Sequence, residues 1–276
     1  MLALSGNTIP FRLGQGGISN NLHVKPAGQG SDSSNTSMVY DGISWTGRAQ
    51  DGHHKTGIVV FIDVLGMKGM SQRYKPREIF SKWRNVTGSF SKVLQEGYIN
   101  AGYFFRILSD TIIITIPTEL NQSAINGIFD LLRQPFIDSI KTGLLLRGIV
   151  SHDEYYLSQQ LIIGPAVDDA ASNHDELDWI GIALSPNVYI RGGNTVNNSV
   201  VYYNIPLKNS YPGIALNWPK FDLNRECYQI LQKEYGQAPE KAKVKYENTF
   251  SFYNYVTYSV IVIVSEEYVQ KPILLT

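Results

Sequence analysis

"VVFIDVLGMKG" spans Val59–Gly69, and its reading sets the fold. Together with Gly57 and Ile58 it gives an apolar run through Ile62, the pattern of a central strand over 57–64. That strand carries an acid, Asp63, just before the chain breaks at Gly66. An unpaired carboxylate in a buried strand costs several kcal/mol, so a partner or a cation is expected beside it.

Outward from this stretch the pattern alternates. Pro76 opens a helix whose apolar positions Ile79, Phe80, Trp83, Val86, Phe90, Val93 and Leu94 recur at three and four, and Gly97 ends it. "AGYFFRILSDTIIITIP" predicts two strands with a tight turn near Ser109 and Asp110. A second helix is expected over about 120–140, with Ile125, Ile128, Phe129, Leu132 and Phe136 on one side. "GLLLRGIVSHDEYY" and "QQLIIG" follow as a strand pair, then a short helix from Pro165 and strands at "WIGIALS" and "VVYYNI". Strand, helix, strand, strand, helix, strand is the ferredoxin-like βαββαβ order, so the expectation is an α/β (α+β) fold with extra C-terminal strands and helices. The chain from Asp222 onward reads as mainly helical. The tail "SVIVIVSEEYVQKPILLT" is open between a strand and a docked extension.

Composition sets limits on function. Of 276 residues, 43% are hydrophobic and 17% charged, the balance of an ordinary globular chain. Lys and Arg number 24 and Asp and Glu number 24, which argues against a surface that coats nucleic acid. The sole cysteine, Cys227, excludes an intrachain disulfide and fits a reducing cytoplasm. No run reaches the length of a membrane span, and the first residues lack the features of a signal peptide. Nine of the 24 glycines fall in residues 1–54, beside the polar run "GQGSDSSNTS", so this segment is expected to be a flexible Gly/Ser-rich head. His53 and His54 read as a solvated loop rather than as metal ligands.

In a βαββαβ fold the first strand and the first hairpin are neighbours, so Asp63 and Asp110 are expected to converge. Carboxylate pairs suit hard divalent ions that also take substrate phosphate oxygens. Gly66 allows a close backbone turn that would bring the amides of Leu65, Gly66, Met67 and Lys68 toward phosphates. The structural alternative is a strand-end acid capping a helix and an unrelated turn acid.

"FIDVLGMKG", "ILSDTIIIT", "LLLRGIVS" and "IIGPAVDDAA", in this order, resemble the motifs of the class III nucleotide cyclases. They are most similar to those of the bacterial pyrimidine cyclases of the Pycsar anti-phage system. The resemblance covers roughly 56–191, within a nucleotide cyclase domain at 55–205 that a mainly helical extension, 206–276, follows. It implies a homodimer with active sites at its interface and two divalent ions, Mg²⁺ or Mn²⁺, held by Asp63, Asp110 and the carbonyl of Ile62. The reaction it implies is attack of a ribose 3′-hydroxyl on the α-phosphate of UTP or CTP, releasing pyrophosphate. The cyclic product would then signal phage infection to a separate effector protein. Neither nucleic acid nor membrane is an expected partner, and UTP is favoured because uridylate cyclases are the commoner type.

The chain also departs from the family's purine-specific pattern. Arg106 stands where those enzymes carry a base-reading Lys, and Leu161 stands where its partner acid belongs. An Arg facing a Leu cannot read the donor and acceptor edge of a purine, which favours a pyrimidine; Arg106 as a structural or triphosphate-binding cation is the alternative. Asp168 and Ser172 replace the Asn and Arg that steady the transition state, leaving Arg147 and Lys68 as the nearest cations. Arg147 on a strand needs an anion, either substrate phosphate or a structural carboxylate. Two other functions compete. A catalytically degenerate cyclase-like module would bind nucleotide or a partner without turnover. A metal phosphohydrolase would use the "HDE" tracts at 152–154 and 174–176, but neighbours on a strand face opposite ways, and His174 is expected to be exposed after its helix.

Overall fold

A computed structural model of the chain describes residues 53–67, 70, 74–98, 102–158, 161–192, 197–207 and 211–269. Contacts divide the chain into two units, Met1–Gly47 and Arg48–Thr276, and every described residue belongs to the second. The expected flexible head, up to residue 52, lies outside the described residues. His53 and His54 are not in a loop but open the first strand, both exposed.

The elements run in chain order as β1 (His53–Val64), α1 (Pro76–Tyr98), β2 (Phe104–Leu108), β3 (Thr111–Pro117), α2 (Gln122–Thr142), β4 (Leu146–Leu157), β5 (Ile162–Ile163), α3 (Pro165–Glu176), β6 (Gly181–Leu184), α4 (Pro186–Gly192), β7 (Val200–Ile205), β8 (Tyr211–Leu216), α5 (Glu226–Tyr235) and α6 (Glu240–Val269). The sheet order is β2-β3-β1-β4-β6-β8-β7, with β5 attached to β4. Its first four strands, with α1 and α2 between them, are the ferredoxin-like βαββαβ unit, and every pairing within them is antiparallel. Among the described residues only β4 and β6 pair in parallel, so the fold is mixed α/β around a mostly antiparallel sheet.

Local chemistry explains the helix ends. Pro76 sits at the start of α1, and the Glu78 carboxylate accepts from the Lys75 amide at 2.9 Å, half of a capping box. Asn121 caps α2 by accepting from the Ala124 amide at 2.9 Å. Gly143, at φ 75°, closes that helix in the left-handed conformation, and the Leu144 amide returns to the Ser139 carbonyl. Helix α1 buries Val86, Phe90 and Leu94 at four-residue spacing.

Strand β1 distinguishes the two faces of the sheet. Ile58, Val60, Ile62 and Val64 are all buried on one side, where right-handed crossovers put α1 and α2. Phe61 and Asp63 point to the other side, where α3 crosses β1 and β4 and the Phe61 ring lies 6.4 Å from that of His174.

The structure adds detail to two expectations about the C-terminal third. The mainly helical stretch expected from residue 206 begins with a strand, β8, which pairs with β7 from Val200 opposite Leu216 to Ile205 opposite Tyr211. It also meets β6 at Ala183 opposite Ala215, so the hairpin belongs to the central sheet. The tail that was open between strand and extension is helical as far as Val269.

Candidate active site

Asp63 lies at the C-terminal end of β1, opposite Thr111 of β3 on one side and Arg147 of β4 on the other. The Val64 amide donates to the Asp110 carbonyl at 3.0 Å, which ties the β2–β3 turn to the end of β1. Ser109 makes that turn with φ 57°. Two acids 47 positions apart in sequence are thereby held at the same end of the same strand pair. Asp110 is half-buried in its turn.

The chain beyond Asp63 behaves differently from its sequence expectation. Gly66 does bend the backbone, at φ 78°, where a side chain would be strained. The Leu65 amide, expected to approach phosphate, instead donates to the Leu145 carbonyl at 2.8 Å. Met67 packs against the core, and Lys68 lies outside the described residues. Ile62 turns its side chain into the helix-covered face, and its backbone pairs with Ile112 and Gly148.

The partner required by the acid of β1 is Arg147. Its Nη2 donates to Asp63 Oδ2 at 3.4 Å, and both side chains are about 15% exposed (15% and 16%). Nη1 donates to the Leu177 carbonyl at 3.0 Å, and Nη2 also lies 3.7 Å from Asp175 Oδ1. Removing one member of so enclosed a pair leaves the other charge uncompensated, at a cost of about 3–5 kcal/mol. His174 is the main correction. It is buried rather than exposed, in the last turn of α3, with Nε2 3.7 Å from Asp63 Oδ2 and Nδ1 3.3 Å from Asp175 Oδ1. Arg147 Nε and His174 Nε2 are both buried without a hydrogen-bond partner. The signal was present in the sequence: Ala166, Val167, Ala170 and His174 repeat at helical spacing, and all four are buried.

Register also locates the other candidates. Arg106 of β2 pairs with Ile113, which pairs with Phe61, so Arg106 shares the Asp63 face two strands away. Its guanidinium lies 5.7 Å from the centre of the Phe104 ring. Leu161 is exposed beyond the far end of β4. Asp168 and Ser172 are exposed on α3. The inward acid of that helix is Asp169, which accepts from Ser151 Oγ at 2.7 Å, from Asn173 at 3.0 Å and from Asn187 at 2.5 Å. The first "HDE" tract is structural: His152 Nε2 meets the Thr118 carbonyl at 2.9 Å, and Asp153 pairs with Arg191 at 3.1 Å. No three His, Cys, Asp or Glu side chains gather around a common ion position among the described residues.

A divalent ion here would depend on a two-carboxylate donor set. Asp63 and Asp110 are hard oxygen donors of the kind Mg²⁺ and Mn²⁺ accept, with phosphate oxygens completing the shell, so the residues fit such an ion in the presence of a triphosphate. A soft thiolate site is excluded for this position, because Cys227 is buried on α5.

Compared with known proteins, the chain matches no sequence family and no curated protein. Several solved structures share part of its chain trace. A guanylyl cyclase matches at 14% identity and a TM-score of 0.44, over 60% of this chain and 93% of its own. A bacterial light-regulated adenylyl cyclase matches at 13% identity and 0.46, over 66% of this chain and 57% of its own. The monomeric guanylyl cyclase domain of the RhoGC fusion protein from the aquatic fungus Blastocladiella emersonii matches at 12% identity and 0.43, over 51% and 87%. Likenesses this distant fix neither a substrate nor a site residue for this chain.

Proposed function

We propose that the chain is a nucleotide cyclase that converts a pyrimidine nucleoside triphosphate, UTP in preference to CTP, into a 3′,5′-cyclic mononucleotide and pyrophosphate. The observation that supports this is the Val64 amide on the Asp110 carbonyl at 3.0 Å, which brings the backbone of Asp110 to the end of β1 that carries Asp63. Asp63, Asp110 and the Ile62 carbonyl would hold two Mg²⁺ or Mn²⁺ ions. When bound there, such ions supply Lewis acidity toward the 3′-hydroxyl and the departing pyrophosphate. In this reading Arg147, on the neighbouring strand and paired with Asp63, would also meet substrate phosphate, and Arg106, on the same face, would meet the base.

A homodimer is part of this proposal. Arg106 lies in the Phe61 row of β2, whereas Leu161 follows Leu157, three strands away and eight residues further along β4. At the rise of a strand, eight residues are about 26 Å, so one base cannot touch both positions of one chain. Two copies would supply them from opposite sides of a shared site. No described helix is long and apolar enough to cross a membrane. The cytoplasm is the proposed compartment, with the product signalling phage infection to a separate effector.

One observation favours a second reading, a degenerate cyclase-like module that binds without turnover. Asp168 and Ser172 are exposed and lack the amide and guanidinium of active cyclases, and the Leu65 amide is already committed to Leu145. Incubation of the protein with Mn²⁺ and each of the four ribonucleoside triphosphates separates the readings. Cyclic UMP or cyclic CMP with equimolar pyrophosphate, identified by mass, supports the cyclase. Nucleotide binding with no pyrophosphate supports the module, and a linear monophosphate product supports a hydrolase.

A further inference from the structure

His174 interrupts an otherwise small and apolar stripe of α3, made of Ala166, Val167 and Ala170. Burying an imidazole there without using both ring nitrogens costs about 1–3 kcal/mol in an unmet hydrogen bond. Its Nδ1 faces Asp175, and its ring packs 6.4 Å from that of Phe61, two residues before Asp63 on the same face of β1. Its Nε2 has no hydrogen-bond partner, and the group in front of it is Asp63 Oδ2, at 3.7 Å. Arg147 reaches the same oxygen from β4.

We propose that His174 is a positioning residue for Asp63, with Nε2 fixing the carboxylate in the orientation that divalent-ion binding requires. This rests on the cyclase reading of the site. A proton on Nε2 makes that nitrogen a donor aimed at Asp63. Site hydrogen bonds that are long in a free enzyme commonly tighten when the site fills. Asp63 is then held from two directions, by a guanidinium on a strand and by an imidazole on a helix. The helix contact couples the last turn of α3 to the metal-binding end of β1. A group that orients a metal ligand in this way typically contributes 10- to 100-fold to ion affinity, at the order-of-magnitude level.

The test uses the full chain, Mn²⁺ and 3′-deoxyuridine triphosphate, which lacks the attacking hydroxyl. Free Mn²⁺ is followed by electron paramagnetic resonance, and each variant is also melted thermally. In His174→Ala and in the ring-filling His174→Phe, half-saturating Mn²⁺ is expected to rise about 10- to 100-fold. His174→Gln, which restores a donor, is expected to recover most of the loss. Wild-type Mn²⁺ affinity in both the Ala and Phe variants, with only their melting temperatures changed, would overturn the proposal and leave His174 a packing residue. Failure of the wild type itself to bind Mn²⁺ with the analogue overturns the cyclase reading and this proposal with it, whatever the variants do.

Discussion

Two largely enclosed acids of this protein have opposite surroundings. Asp222 is fully served by the fold: its carboxylate accepts from the Cys227 amide at 3.0 Å, the Tyr228 amide at 3.1 Å and the Tyr253 hydroxyl at 3.2 Å. It thereby caps α5, which Arg225, at φ 57°, does not do. Asp63 has a guanidinium at 3.4 Å and an imidazole nitrogen at 3.7 Å, and two of the nitrogens around it have no hydrogen-bond partner. An acid whose donors are all amides and a hydroxyl of its own fold has a structural job. An acid whose neighbours are a guanidinium and an imidazole, both buried and only partly bonded, has capacity left for a ligand. The contrast separates the two acids better than burial does, since both are largely enclosed.

The largest expected effect breaks the chemical side. Asp63→Asn should lower cyclic-product formation by about 10²–10³-fold or more, measured as product per enzyme with Mn²⁺, while circular dichroism stays that of the folded chain. The next breaks the structural side. Asp222→Ala removes a helix cap and leaves the Tyr253 hydroxyl without its acceptor, so unfolding in urea should come about 2–4 kcal/mol more easily. Its effect on activity should follow only the folded fraction. If Asp222→Ala abolished turnover in a fully folded protein, or Asp63→Asn cost only stability, the contrast would be wrong.

Much of this was legible in the sequence, for physical reasons. The helical period exposed α1 and α2, the two apolar runs exposed the β2–β3 hairpin, and the acid in β1 announced that a partner was needed. That the partner is Arg147 required the β1–β4 register, which places residue 147 opposite residue 63. Strand β8 contains Pro212 and Gly213, two residues that weaken a strand pattern. Pro212 is tolerated because it sits opposite Asn204 of β7, whereas the pairing of β8 with β6 is at Ala215. The commitment of the Leu65 amide to Leu145 was not legible at all, since it depends on the return of the chain into β4. His174 was missed because the helix was expected to end before it, although its spacing from Ala170 and Ala166 continued the buried stripe.

A smaller test sharpens the structural region. Burial, followed by the nearby Asp222 charge, pushes the Cys227 thiol up to about 12 and holds the Tyr253 hydroxyl at about 12. The folded thiol therefore titrates above its unfolded value of 9.0, so the fold favours the protonated form. That contribution is intact below pH 9 and is lost as the pH climbs toward 12. Native Cys227 should resist a disulfide-exchange reagent at pH 8 and react only once urea unfolds the chain. Fast labelling of the native protein at pH 8 would contradict the enclosed geometry around Asp222.

The central claim is that two distant acids form one ion-binding end of β1. Its most direct test is product formation from UTP and CTP with Mn²⁺ by Asp110→Asn beside Asp63→Asn, with folding verified for both. The account predicts that each substitution alone removes the cyclic product. An Asp110→Asn protein that still cyclises at the wild-type rate would contradict it.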